Sequence, residues 1–69
     1  MKISARNTLK GKIVKLTPGA VNTEVILELP GNHQIISVIT KDSAERLGLK
    51  VGQEAYAIIK ASSVMIGID

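Results

Sequence analysis

The chain has 69 residues, with nine Lys and Arg against six acids, 45% apolar residues and no Cys, Phe or Trp. That limits it to one small domain with no disulfide and almost no aromatic surface. The net charge of +3 suits an anionic partner but is spread without a block of like charge, and the longest unbroken apolar run, Ala55–Ile59, is far short of the ~20 residues of a spanning helix.

The opening stretch, Ile3–Gly11, places Ser4, Arg6, Asn7 and Thr8 between two apolar residues that read as core, Ile3 and Leu9. A first strand follows at 10–16, closed at 17–20 by the turn dipeptide Pro18-Gly19. The second, 21–29, alternates with Val25, Leu27 and Leu29 on one face and Glu24, Ile26 and Glu28 on the other. Residues 30–33 turn the chain into a third strand at 34–40. The period then changes. Asp42 is positioned to cap a short helix with Glu45 three residues on, Leu47 as its apolar contact and Gly48 as its stop. Strands four (54–60) and five (63–68) follow, separated only by Ala61 and Ser62.

Five short strands with one short helix between the third and fourth predict an all-β fold of small α content, a five-stranded OB-like Greek-key barrel over a single domain, 1–69. Strands three and four are apolar on both faces (Ile35 and Ile39 against Ile36 and Val38; Ala57, Ile58 and Ile59). A barrel this small has one inside, so the outer apolar face is expected to be covered by further copies in a homo-oligomer. No basic segment followed by a long apolar stretch marks a leader, and the expected compartment is the cytoplasm.

The polar residues of the opening stretch have a counterpart at the other end of the chain. Ser4 and Arg6 are two residues apart and share a side of an extended segment, and Lys60 and Ser62 repeat the arrangement. Thr40 and Ser43 add hydroxyls at the helix start, where free N–H groups and the helix dipole favour anions. Cations, hydroxyls and backbone N–H groups together describe a site for a small oxyanion. Each feature also has a plain reading: solvated terminal residues, a turn at a strand end, and helix capping.

The segments ISARNTLKGKIV, VITKDSAERLGL and GQEAYAIIKASSVMI together resemble the molbindins, first called molybdenum-pterin-binding proteins, over essentially the whole chain. The same unit occurs as the molybdate-binding domain of molybdate-responsive regulators and transport ATPases. The resemblance implies an OB-like barrel that assembles as a hexamer, a trimer of dimers, and holds molybdate or tungstate between subunits for storage and homeostasis. Residue by residue, it assigns the oxyanion donors to Ser4 and Arg6, to Thr40 and Ser43, and to Lys60, Ala61 and Ser62, with no directly ligated metal. A second class of anion site on the threefold axes is expected near the turn at 19–22. Two departures stand out: Thr8 follows SARN where relatives often have Gln, and PGNHQ at 30–34 replaces a more glycine-rich turn and holds the only histidine, His33, expected to be exposed and idle.

Rival classes are a single-stranded nucleic-acid-binding OB domain, which lacks the aromatics for base stacking with Tyr56 alone, and an assembly module without ligand. An enzyme is disfavoured, because there is no Cys nucleophile, no metal-ligand cluster and no Ser with a credible His partner. No membrane or nucleic-acid partner is expected.

Overall fold

The computed structural model describes residues 1–69. Its elements in chain order are β1 (Asn7–Pro18), β2 (Asn22–Leu29), β3 (His33–Thr40), α1 (Lys41–Leu47), β4 (Glu54–Ile59) and a 3-10 turn at Ala61–Ser63. The strands form one antiparallel sheet in the order β3-β2-β1-β4. This is an all-β, OB-like half-barrel with one short helix, of four strands rather than the five expected.

β1 can serve two neighbours because it is long and bent. Residues 7–12 pair with β4 and residues 12–18 with β2, so Lys12 is the partner of both Glu54 and Glu28. Just past that junction the register slips between Ile13 and Lys15, a bulge that sharpens the local twist and curls the sheet. Gly11 allows the close crossing there, since a Cβ at this position would lie 2.5 Å from the Glu28 carbonyl oxygen.

The alternation expected for the second strand holds. Val25 and Leu27 are buried, while Glu24 on the other face is exposed. Ile13, Val25 and Leu27 are the buried apolar core, flanked by partly buried Leu16, Leu29, Ile39, Leu49, Ala55 and Ala57. Two expected core residues are not enclosed: Ile3 is 45% and Leu9 39% exposed. Leu9 pairs with Ala57, which packs against the core.

Three further expectations need correction. The helix cap is Thr40 rather than Asp42: Thr40 has extended backbone, and its hydroxyl accepts from the Ser43 N–H at 3.1 Å. Asp42 instead sits in the first turn, where its charge suits the dipole and reaches Arg46 one turn on at 3.2 Å. Leu47 is 66% exposed, and Leu49 packs on the core in its place. The third correction is the missing fifth strand. The 3-10 turn carries the chain off the end of β4, and Val64, Met65, Ile66 and Ile68 join no ladder and stay exposed.

Gly48 ends α1 as expected, in the left-handed conformation (φ 63°) with its N–H donating to Glu45 O at 3.0 Å and the Leu49 N–H to Ala44 O at 3.3 Å. Nothing lies within 4 Å of a Cβ built there, so Gly48→Ala meets only the backbone penalty. Thermal unfolding should show a loss of about 1 kcal/mol, or roughly 4–8 °C in Tm.

Candidate oxyanion site

Ser4 and Arg6 lie just before β1, and Lys60–Ser62 just after β4. The last pair of the β1–β4 ladder is Asn7–Ile59, so both segments leave the sheet at the same end. Two cations, Arg6 and Lys60, are thereby brought to one end of one strand pair. Like charges near one another repel, and neither residue has an acidic partner: the ion pairs of the chain are Lys10–Glu54 and Asp42–Arg46. Hydroxyls of Ser4 and Ser62 flank them, and both are exposed. The 3-10 turn closes through Ser63 N–H to Lys60 O at 2.8 Å and Val64 N–H to Ala61 O at 3.3 Å, which leaves the N–H groups of Ala61 and Ser62 without a partner inside the turn.

The second donor group is elsewhere. Thr40 pairs with Asn22, whose neighbour Thr23 pairs with Pro18 at the far end of β1. Thr40 and Ser43 therefore sit at the opposite end of β1 from Arg6 and Lys60. Within this end the geometry is ordered. The Thr40 hydroxyl accepts from the Ser43 N–H and donates to Ser43 Oγ at 2.7 Å, so the Ser43 hydroxyl proton is the one left free to donate outward. The 19–22 turn lies against it, with the Lys41 N–H donating to Val21 O at 2.8 Å and the Gly19 N–H to Asn22 O at 2.7 Å. The structure thus gathers Ser4, Arg6, Lys60, Ala61 and Ser62 at one end of β1, and Thr40 and Ser43 with the 19–22 turn at the other.

A model of the TOBE domain family matches residues 3–66 of the chain. The probable molybdenum-pterin-binding protein of Haemophilus influenzae is 49% identical over 69 residues, all of both chains. The chain belongs to the molbindin family. MopII of Clostridium pasteurianum, in an apo form, superposes with a TM-score of 0.93 at 51% identity, covering 97% of this molbindin and all of that chain. The cytoplasmic molybdate-binding protein ModG, solved with molybdate bound, superposes with a TM-score of 0.94 at 46% identity, and this molbindin spans 49% of its length.

No three His, Cys, Asp or Glu side chains gather as metal ligands, and no helix is long and apolar enough to cross a membrane. His33 is exposed at the end of the turn formed by Gly31 and Asn32, both at positive φ. Tyr56, expected on an interior-looking strand, is half-exposed on the outer face of β4; one ring is no stacking platform.

Charge on the outer face is neutralised locally. Lys12 lies between Glu28 and Glu54 in the register, and Lys10 Nζ meets Glu54 at 2.8 Å. The hydrogen bond and charge of Lys10 hold the Glu54 carboxyl below the usual carboxylate range, and Glu54 raises Lys10. A lowered carboxyl contributes stability above its unfolded value and loses it as pH falls through its folded value; a raised ammonium loses its contribution as pH rises through its folded value. The pair is solvent-exposed, so its effect is small and screened. Glu54→Gln should leave the Tm at neutral pH nearly unchanged and abolish the pair's share of the acid and alkaline slopes, as melts across pH would register.

Proposed function

We propose that the chain is an oxyanion-binding protein that takes up molybdate, and tungstate by the same chemistry, for storage and homeostasis in the cytoplasm. The anion is held between copies of a homo-oligomer, a hexamer built as a trimer of dimers. The observation that carries this reading is the juxtaposition of Arg6 and Lys60, with hydroxyls and free N–H groups beside them and no acid to neutralise them. A dianion between the two cations turns a repulsion into two charge-assisted hydrogen bonds. The names of the similar proteins, molybdenum-pterin-binding and molybdate-binding, point to the same ligand.

Separation of the two donor groups supports a site at an interface. One copy supplies Ser4, Arg6, Lys60, Ala61 and Ser62, and a neighbour brings Ser43, held in place by Thr40. The cage offers donors only. Molybdate, whose oxygens only accept, is satisfied by it, whereas a protonated phosphate carries a hydrogen that finds no acceptor. Sulfate has no such proton and is excluded by its smaller size. Isothermal titration tests the reading: tight binding of molybdate with much weaker binding of sulfate is expected, and absence of heat with molybdate would overturn it.

A further inference from the structure

Cations along the β1–β4 ladder are of two kinds. In the middle they are matched by acids, since Lys10 Nζ meets Glu54 at 2.8 Å and Lys12 is the register partner of both Glu54 and Glu28. At the end where Arg6 and Lys60 leave the sheet there is no such match. A third cation belongs to that end: Lys2 lies four residues before Arg6, so its backbone is within about 14 Å of Arg6 even at full extension. Lys2 also folds against the ladder. With Ile3, Ala5, Thr8 and Tyr56 it lines a cleft of about 480 Å³, and Thr8 is paired with Ile58, next to the last pair, Asn7–Ile59.

The acids of the chain lie elsewhere. Glu24 is the partner of Thr17 on the far half of β1, Glu28 and Glu54 flank Lys12, and Asp42 and Glu45 are on α1, which starts at the opposite end of β1. Neither Lys2 nor the last residue, Asp69, takes part in an ion pair. The sheet is therefore neutral at its middle and carries three unpaired cations at one end.

We infer that Lys2 is a steering charge, which draws the dianion to the Arg6–Lys60 end and speeds its capture without joining the donors that hold it. This rests on the oxyanion reading above. Attraction of such range acts in full by the time the anion reaches the mouth of the site, so it quickens arrival and leaves departure unchanged. The effect is also set by salt. For a charge about 10 Å from the path of a dianion in water, with the Debye length of about 30 Å at 10 mM salt, it amounts to roughly threefold in rate.

Rapid filtration with radiolabelled molybdate measures uptake and release for the unaltered full-length chain and for Lys2→Arg, Lys2→Gln and Lys2→Glu. At 10 mM salt the rate constant for uptake should be unchanged in Lys2→Arg, about threefold lower in Lys2→Gln and about tenfold lower in Lys2→Glu. Release should be the same in all four. At 0.5 M salt, where the Debye length is about 4 Å, the four uptake rates should converge. Uptake that ignores the charge at residue 2, a change confined to release, or a slowing that persists at high salt would each overturn the steering role. An unaltered chain that takes up no molybdate would overturn the oxyanion reading and the steering with it.

Discussion

Arg6→Ala and Lys60→Ala are each expected to raise the Kd for molybdate roughly a hundredfold, the loss of about 2–3 kcal/mol that follows from removing a charged donor from an anion. Neither side chain has an ion-pair partner, so neither substitution removes a contact that holds the fold. Anion-free stability should be unchanged or slightly raised, because each variant relieves the repulsion between the two cations. Titration calorimetry and anion-free melting separate the two effects. A variant that keeps its affinity would contradict the assigned role of that residue, and one that unfolds without anion would show it to be structural.

The second large effect belongs to the core. Ile13 is the one large side chain with no exposure at all, and it sits beside the bulge where β1 passes from β4 to β2. Its backbone is tied to the turn before β4 as well, with the Ile13 N–H donating to Gln53 O at 2.9 Å and the Gly52 N–H to Ile13 O at 2.7 Å. Ile13→Ala leaves a cavity that a bent, hydrogen-bonded strand is ill placed to fill. The expected cost is about 3–4 kcal/mol, or a fall in Tm of roughly 15–25 °C. With a buried core of Ile13, Val25 and Leu27, no other contact compensates for that loss within the chain. A fall of only a few degrees would mean that the interior repacks around the gap.

What was legible in the sequence follows from the range of the forces concerned. The face of β2 is visible because the two-residue period of a strand sorts Val25 and Leu27 from Glu24 and Glu28 directly. The apolar outer surface is equally visible, since Ile36 and Val38 share β3 with Ile35 and Ile39. The cap was misassigned because Thr40 and Asp42 are both polar residues with a polar residue three positions on; only backbone conformation decides between them. The extra β1 residue at the bulge left no mark in the alternation, and Gly11 looks like any glycine until β2 is laid across it.

The largest difference, the fifth strand, is of another kind. Residues 63–68 have strand character whether they fold back on β4 or lie in another copy, because local propensity does not specify the partner. The candidate site divides in the same way. Donor types and their two-residue spacing are written in SAR and KAS, but their meeting at one end of β1 is a matter of register. So is the separation of that end from Thr40 and Ser43.

That separation allows a direct test of an anion bound across chains. Arg6→Ala removes a donor at one end of β1 and Ser43→Ala at the other, and each alone should lose molybdate. Refolded together in equal amounts, the two chains should regain binding at about a quarter of the sites, those joining the intact Arg6 end of one chain to the intact Ser43 end of its neighbour. Titration of the mixture counts those sites. Recovery near that fraction is the expected result; a mixture that binds no better than either variant alone would mean that no site is shared between chains in this way.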